Sequence, residues 1–462
     1  MKKFLLSALI LAFFLFGSPV RAEQKSNKFG IHILEPTDLV KAQELVNSNG
    51  GDWGFVTIVI RDDDLDKGKW QNFFNQCREQ HLVPLVRIAT HTENNFWVKP
   101  RIEDVPKWAD FLNNLNWPSK DQWLIVFNEP NQALEWGGDL NPEEYAQILD
   151  EFIKQLKAQN SNFNILNAGF DLAAANTSQT LDALLFWQRM EKAVPGIFQQ
   201  LDGWASHSYP NHGYIGTPFQ SGRTSIVGYQ WELQVLENQF GLNKALPVFI
   251  TETGWPYKIN RGELFYTRPQ VADYFKIAFE KVWLPDKRVL AVTPFVLSYP
   301  QPPFINFSWV TADNQEAESY LALKEIPKIS WWPEQIFKLE LVKVSIPPFL
   351  PTQAKYQGKM TVRNLGQSIW GEKEAFELKP LSDDPRLVVS SLTIPLGQKV
   401  KPEEKVELNF TLKSGTQSGE IVFSWEELPS FKLKIVPSSI LTKAEYTLWQ
   451  ELRFFFEKIF LF

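Results

Sequence analysis

The sequence predicts an α/β chain in which a (β/α)8 barrel is followed by a small antiparallel β-sandwich and an amphipathic C-terminal helix. Short apolar runs alternate with helical patterns from residue 29 to about residue 312. Past residue 332, apolar residues recur at every second position, and at the chain end they recur at helical spacing. The predicted divisions are a signal peptide over 1–22, the barrel over 23–332, the sandwich over 333–437 and the helix over 438–462.

The first 22 residues have the pattern of a secretory signal peptide. A charged start at Met1-Lys2-Lys3 precedes an apolar run over 4–17 and a Val20-x-Ala22 site. We therefore expect cleavage after Ala22 and a protein that is secreted or held at the outer cell surface. The alternative is an uncleaved anchor, because the apolar run is close to the ~17-residue lower limit for a membrane span.

The composition argues against several classes of site. Cys77 is the only cysteine, so the sequence offers neither a disulfide nor a thiolate cluster. Five histidines without a His-x-x-x-His pair argue against a zinc site, and we expect no metal and no cofactor. The net charge of −6 argues against a nucleic-acid partner, which clustered Lys and Arg would favour.

Eight strands separated by helices are expected in the barrel. The strands are predicted at 29–34, 53–60, 82–88, 123–127, 163–169, 201–205, 248–252 and 289–297. The clearest helix spans 141–159, where Asn141 can cap, Pro142 suits the first turn and Glu144 stands three residues after the cap. Its apolar residues fall on one face: Ile148, Leu149, Phe152, Ile153 and Leu156.

Two of the predicted strands end in a glutamate. The fourth runs into Asn128-Glu129-Pro130, and the seventh runs into Glu252-Thr253-Gly254. Proline and glycine break a strand, and the carboxyl ends of barrel strands are where catalytic residues lie. Two carboxylates that face one cavity can cleave a glycosidic bond. The alternative is that each glutamate only caps or ion-pairs at its strand end.

These two motifs, in this order, resemble those of the retaining glycoside hydrolases of clan A, a superfamily of TIM-barrel enzymes. The resemblance covers roughly residues 28–312. It implies that Glu129 is the acid/base and Glu252 the nucleophile, and that Asn128 binds the sugar 2-hydroxyl. The implied substrate is a β-linked oligo- or polysaccharide.

Further polar residues follow other strands. The resemblance implies that His207 and Tyr209, after strand six, contact the sugar and the nucleophile. By their chemistry, His207 can hydrogen-bond a carboxylate and Tyr209 can donate to the same oxygen. Arg87 in strand three needs a carboxylate partner if buried, and Glu252 is the candidate. The family usually places its arginine near the end of strand two, so Arg61 is the competing choice.

Several aromatic and strand-one residues are candidates for the substrate cleft. The usual strand-eight tryptophan is missing, so Trp309 is the candidate, in a displaced position, for the tryptophan platform that the resemblance implies under the sugar. Trp136, after the acid, and Trp255, after the nucleophile, are predicted subsite walls. His32 and Glu35, at the end of strand one, either line the cleft or serve the fold.

The C-terminal third has a different pattern. Apolar and polar residues alternate through 406–412 and 421–425, which predicts an immunoglobulin-like sandwich. This unit is either a carbohydrate-binding or spacer module or, more simply, a domain that packs against the barrel. The final helix carries an apolar stripe of Leu448, Leu452, Phe455, Ile459 and Phe462. It is too charged to span a bilayer, so we expect peripheral membrane contact or docking on the protein's own surface.

The sequence thus predicts a secreted retaining β-glycosidase with a carbohydrate substrate. The alternative is a non-catalytic carbohydrate-binding or cell-envelope structural protein built on a glycosidase-like barrel.

Overall fold

The computed structural model describes residues 26–260, 262–382 and 384–459, with side chains up to residue 453. The predicted signal peptide over 1–22 lies outside these residues. The described chain is a mixed α/β protein, as predicted, with parallel strands in its N-terminal two thirds and mainly antiparallel strands after them.

Eight parallel strands form a closed ring in the N-terminal region. Two sheets, ordered β1-β2-β3-β6-β7 and β8-β9-β10, are joined by parallel bridges between Leu166 and Gly203 and between Phe29 and Val292. A short hairpin, β4–β5, follows β3. The strands of this region are β1 (Gly30–His32), β2 (Gly54–Arg61), β3 (Leu82–Ala89), β4 (Thr92–Glu93), β5 (Phe96–Trp97), β6 (Gln122–Val126), β7 (Phe163–Leu166), β8 (Trp204–His207), β9 (Val248–Glu252) and β10 (Val289–Val292).

The ring strands are buried on both faces. Consecutive residues of a strand point to opposite sides, so Phe55 and Leu85 belong to an inner core, whereas Val56 and Val86 pack against the surrounding helices. This double burial explains why the strands read as unbroken apolar runs. The helices are α1 (Leu39–Val46), α2 (Lys67–Glu79), α3 (Val105–Asn113), α4 (Pro142–Gln159), α5 (Ala183–Ala193), α6 (Ile197–Gln200), α7 (Gly228–Phe240), α8 (Arg268–Ile277) and α9 (Glu318–Glu325).

Helix α4 begins one residue after its expected cap. The Asn141 side chain accepts from the Glu144 backbone N–H at 3.1 Å, and Pro142 occupies the first turn. The Glu144 carboxylate does not return to the cap. It accepts from Trp136 Nε1 at 2.9 Å and pairs with Lys99 at 2.8 Å, so the helix start is tied to the loop that follows β6.

The C-terminal region contains two four-stranded sheets around a separate apolar core. Their orders are β11-β13-β18-β16 and β12-β20-β19-β15, and β14 pairs with β17. In β18, buried and exposed residues alternate as the sequence pattern predicts. The strands are β11 (Leu339–Val344), β12 (Phe349–Pro351), β13 (Lys355–Asn364), β14 (Phe376–Leu378), β15 (Pro380–Leu381), β16 (Leu387–Val389), β17 (Leu392–Ile394), β18 (Lys405–Ser414), β19 (Gly419–Trp425) and β20 (Phe431–Val436).

The last helix, α10 (Ile440–Ile459), packs on this second core through one face. Tyr446 is buried and Trp449 packs beside it, while Leu448 and Leu452 are exposed. The predicted stripe is therefore not the docked face at these two positions. Phe455 and Ile459 lie beyond the last described side chain, and Phe462 lies outside the described residues. Among the described helices, none is both long and apolar enough to cross a membrane.

Buried polar contacts join the ring to the C-terminal region. Arg78 of α2 donates from Nε to the Gln367 carbonyl at 2.5 Å. His81 lies between Asp52, at 2.7 Å, and Glu372, at 3.5 Å. Burial alone would lower the pKa of His81, but its hydrogen bonds to Asp52 and Glu372 raise that pKa to about 9. The imidazolium therefore links the two regions at neutral pH.

Candidate active site

A cleft of about 470 Å³ opens at the carboxyl ends of the parallel strands and is lined by both predicted glutamates. Glu252 is the last residue of β9, and Glu129 comes just after β6. Parallel strands bring their carboxyl ends to one side of a ring, so residues far apart in the chain meet there.

The backbone is unusual where Glu129 leaves its strand. Phe127 has φ +69° and Glu129 has φ +27°, a region that residues other than glycine rarely adopt. The Glu129 N–H is held by the Gly169 carbonyl at 3.1 Å, and Pro130 next to it has no N–H to satisfy. Strained backbone of this kind is concentrated at functional sites.

Glu252 is held by an arginine and a tyrosine. Arg87 Nη1 donates to Oε1 of Glu252 at 2.5 Å and to Oδ1 of Asn128 at 2.6 Å. The Tyr209 hydroxyl donates to the other carboxylate oxygen, Oε2, at 3.1 Å. The arginine that meets the nucleophile candidate is therefore Arg87. Arg61 also lines the cleft, but it pairs with Asp63.

His207 differs from its prediction. It does not share an oxygen of Glu252 with Tyr209. Its Nδ1 lies 2.7 Å from Oε1 of Glu129, whereas the nearest oxygen of Glu252 is 3.9 Å away. The ring order is β6-β7-β8-β9, so β8 lies between the strands that carry Glu129 and Glu252 and places His207 between the two glutamates. His207 thus connects the two carboxyl groups.

The two carboxyl groups are close together. One oxygen of Glu129, one of Glu252 and one ring nitrogen of His207 all lie within 4.8 Å of one another. Such a trio could also hold a metal ion, although its members come from three distant segments and no spacing rule would find them. Arg87 already supplies a positive charge to this trio through its contact with Glu252.

The environments of the two glutamates push their pKa values apart. Burial would raise the pKa of Glu252, but the positive charges of His207 and Arg87 outweigh burial and lower it to about 2. Burial raises the pKa of Glu129, and the negative charges of Asp171 and Glu252 act in the same direction, against the hydrogen bond from His207. Glu252 is therefore the ionised member, and Glu129 holds its proton to higher pH.

His32 lies behind the nucleophile candidate. It is fully buried, and its Nδ1 is 3.8 Å from Oε1 of Glu252. Burial and the nearby charge of Arg87 lower the pKa of His32 to about 3, so the ring is neutral at physiological pH. Glu35, its companion from the end of the first strand, lines the cleft.

The three predicted tryptophan contacts are wrong. Trp136, Trp255 and Trp309 are all buried in the core between ring and helices. Trp136 donates to Glu144, and Trp255 donates to the Gly216 carbonyl at 2.6 Å, so their polar atoms are used in packing. A tryptophan beside a catalytic motif can equally serve the core, and position in the sequence does not separate the two cases.

Other aromatic residues line the cleft. They lie in α2, in the β4–β5 hairpin, directly after β6, in the loop after β8 and in the segment after β10. The tyrosine- and phenylalanine-rich sequence after 207 and after 294 was the available signal. The aromatic lining residues are Trp70, Trp97, Phe127, Tyr209, Tyr214, Phe295, Tyr299 and Phe304.

A third carboxyl group, Glu135, lines the cleft and was missed by the sequence interpretation. It ends a 3-10 helix over Ala133–Glu135, six positions after Glu129. Burial, followed by the negative charge of Glu129, raises the pKa of Glu135 to about 8. The Asn128 side chain beside it acts in the opposite direction and lowers that pKa. At neutral pH Glu135 is thus a protonated carboxyl group that can donate a hydrogen bond.

No family model and no curated protein matches the sequence. Solved structures of glycoside hydrolases are similar to the chain at low identity. A family 39 enzyme from Bacteroides cellulosilyticus WH2 is 14% identical, with 85% of this chain and 81% of that chain covered and a TM-score of 0.45. A monomeric β-xylosidase from Caulobacter crescentus CB15 is 12% identical, with 84% and 97% covered and a TM-score of 0.47.

A family 51 α-L-arabinofuranosidase from Bifidobacterium longum is 11% identical, with 84% of this chain and 96% of that chain covered and a TM-score of 0.43. These similarities assign no activity to the chain.

Proposed function

We propose that the chain hydrolyses β-glycosidic bonds of an oligo- or polysaccharide by a retaining double displacement, with Glu129 as acid/base and Glu252 as nucleophile. One observation carries this proposal: two carboxyl groups with pKa values shifted in opposite directions face one cleft, with oxygens within 4.8 Å. Paired carboxyl groups that differ in this way are how glycosidases divide acid and nucleophile. The ring of parallel strands is, in this proposal, a glycosidase-type (β/α)8 barrel.

The first step uses the charge states of the two groups. The Glu252 carboxylate attacks the anomeric carbon, while the glycosidic bond breaks and Glu129 gives its proton to the leaving oxygen. Arg87 and Tyr209 hold Glu252 from two sides, which fixes the carboxylate for attack. As the ester forms, the negative charge of Glu252 is consumed.

The second step reverses the role of Glu129. Its carboxylate takes a proton from water, the water oxygen attacks the anomeric carbon, and the bond to Glu252 breaks. Loss of the Glu252 charge in the intermediate favours the ionised form of Glu129, because a negative neighbour no longer raises its pKa. The short separation supports retention, since inverting enzymes need about 6.5–9.5 Å between carboxyl groups to fit a water.

Substrate binding falls to the polar residues and aromatic rings of the cleft. Asn128 accepts a hydrogen bond from Arg87 and stands next to the acid, where it can contact the sugar hydroxyl beside the reacting carbon. Tyr214, Tyr299 and the other aromatic rings of the cleft offer apolar faces to the sugar.

The test is turnover on a panel of aryl β-glycosides and polysaccharides. We expect hydrolysis of at least one, with the β-anomer as the first product seen by proton NMR and with activity unchanged after dialysis against EDTA. Glu318→Gln changes an exposed carboxylate at the start of α9. It is the control for substitutions of Glu129 and Glu252 and should behave as the wild type. Binding without turnover across the panel would favour the non-catalytic carbohydrate-binding alternative, and loss of activity with EDTA would favour a metal at the Glu129–His207–Glu252 trio.

We further propose roles for three parts outside the active site. Residues 1–22 direct export, and the C-terminal sheets are an immunoglobulin-like packing domain. Helix α10 contacts a membrane surface. The exposed Leu448 and Leu452 support the membrane contact, because the helix already docks through Tyr446. Amino-terminal sequencing of the exported protein tests cleavage after Ala22. Liposome co-sedimentation of the chain without 441–462 tests the helix, and unchanged sedimentation would refute the contact.

A further inference from the structure

A second cavity, of about 810 Å³, lies where the C-terminal region meets the segment that leaves the ring. Its walls come from the segment 332–337, the residues 368–378 around β14 and the turn after β19. None of its lining residues lines the cleft that holds Glu129 and Glu252. The proposed hydrolysis therefore leaves this cavity without a role.

Three aromatic rings form one wall of this cavity. Phe337, Trp370 and Phe376 are near-parallel, with interplanar angles of 21–27°. Their centroid separations are 5.7, 5.9 and 4.6 Å. Because each ring is this close to both of the others, the three rings cannot form a single column. They are stacked with lateral offsets. Phe337 is 41% exposed, and Trp332 adds a further ring to the lining.

One buried polar group in this wall has no partner. The Trp370 side chain is only 3% exposed, and among the described residues its Nε1 meets no hydrogen-bond acceptor. Buried polar groups are normally satisfied, and an indole N–H that lacks an acceptor costs free energy. A ligand with hydroxyl oxygens in the cavity would supply the missing acceptor.

The charge of the lining restricts the class of ligand. Five glutamates and one lysine line the cavity, and the lysine, Lys373, lies over the Trp332 ring at 5.4 Å. Glu334 is paired with Lys120 at 2.6 Å, which leaves an excess of carboxylates. Carboxylates accept hydrogen bonds from hydroxyl groups and repel acidic ligands. The glutamates are Glu334, Glu374, Glu377, Glu426 and Glu427.

We propose that this cavity is a second saccharide-binding site, which takes a neutral oligosaccharide or a segment of a neutral polysaccharide. The sugar ring lies against the wall formed by the three aromatic rings. Its hydroxyl groups donate to the glutamates, and one hydroxyl oxygen accepts from Trp370. The site rests on the proposed function only for the identity of the polymer, which would be the one that the cleft cleaves. The cavity lies at the amino-end side of the ring, where Trp332 packs on Trp53 and His81, so a bound polymer would be held on the side opposite the cleft.

The first experiment measures binding with the full mature chain carrying Glu252→Gln, so that ligands are not consumed. Neutral β-linked gluco- and xylo-oligosaccharides and an oligogalacturonate are titrated by calorimetry. Phe337→Ala should weaken neutral oligosaccharide binding at the second site by about tenfold, which corresponds to about 1.4 kcal/mol. Phe219→Ala removes a ring that is 77% exposed and lines neither cavity, and it should bind as the parent does.

Trp370→Phe keeps an aromatic ring and removes only the N–H, so it should weaken binding about threefold or more, the effect of one hydrogen bond. A melting temperature equal to that of the parent shows that the variant is folded. Binding that is unchanged in both Phe337→Ala and Trp370→Phe overturns the site. Oligogalacturonate binding as tight as neutral binding overturns the charge argument.

The second experiment separates this site from the proposed function. In the otherwise wild-type chain, Phe337→Ala should leave hydrolysis of a small aryl glycoside unaffected, because the cavity and the cleft share no lining residue. If no substrate is hydrolysed but Phe337-dependent binding persists, the hydrolase proposal fails and the second site stands. If hydrolysis occurs and no Phe337-dependent binding is found, the second site alone is refuted.

Discussion

The ends of β6 and β9 are alike in sequence and opposite in electrostatics. Each is a buried apolar strand that runs into a glutamate at the same side of the ring. Beside Glu252 stand Arg87 and the charge of His207, and its pKa falls to about 2. Beside Glu129, burial and the negative charges of Asp171 and Glu252 prevail, and its pKa rises. The charge state of each glutamate is therefore set by side chains from other strands.

The largest effect should come from removing the ionised member of the pair. Glu252→Ala deletes the nucleophile, and we expect kcat to fall on the order of 10^4-fold or more, the scale seen when one member of a catalytic unit is lost. Azide should partly restore turnover and give an α-configured glycosyl azide, because it attacks from the side that Glu252 vacates. Turnover near the wild-type rate, or a β-configured azide product, would contradict the assignment.

Removal of Glu129 should lower the activity by an amount that depends on the leaving group of the substrate. Glu129→Ala removes a general acid, which contributes about 10²–10⁴-fold, so glycosides with poor leaving groups should lose activity on this scale. Aryl glycosides with very good leaving groups should keep their first step, since they need no proton to depart. An equal loss on both substrate types would show that Glu129 is not the acid.

Much of this comparison could be predicted from the sequence, because it depends on local patterns. Buried apolar runs that end at proline or glycine located the strands, and the carboxyl-end rule for parallel strands put Glu129 and Glu252 on one side. The need of a buried arginine for a carboxylate led from Arg87 to Glu252.

The remaining errors have a common cause. Which carboxylate His207 meets depends on the position of β8 between β6 and β9 in the ring, and whether Trp255 faces the cleft or the core depends on how its loop folds back. Glu135 gave no signal, since a glutamate in a loop reads as a surface residue until neighbouring segments bury it. Such contacts depend on the tertiary structure, and no local pattern in the sequence encodes them.

Substitution of Arg87 should make the electrostatic surroundings of Glu252 and Glu129 more alike. Arg87→Met removes the positive charge that helps to lower the pKa of Glu252, so that pKa should rise by roughly 1–3 units. Glu252 must be ionised to attack, and in the wild type the charges of His207 and Arg87 hold its pKa well below the ordinary value. The acidic limb of kcat/KM should therefore move to higher pH. Arg61→Met is the matched control, since Arg61 lines the cleft but pairs with Asp63. The same shift in both variants would refute the role of Arg87.

The smallest expected effect concerns Glu135, the neutral carboxyl group on the Glu129 side of the cleft. With a pKa of about 8, Glu135 is protonated at neutral pH and can donate to a sugar oxygen. Glu135→Gln keeps a donor of similar size, so its KM at pH 6–7 should stay within about threefold of the wild type, whereas Glu135→Ala should raise KM by about 2–10-fold, the effect of one hydrogen bond.

The pH dependence of these variants distinguishes a lost proton from lost packing. Above pH 8 wild-type Glu135 ionises, loses its donor and places a negative charge beside the substrate, so the wild-type KM should rise as the pH passes about 8. Glu135→Gln has no proton to lose there, and its KM should stay flat. The measurement is KM from pH 6 to pH 9 with an aryl glycoside whose leaving group needs no protonation, which keeps the titration of Glu129 out of the first step. A wild-type KM as flat as that of Glu135→Gln would mean that the Glu135 proton does not contact the substrate.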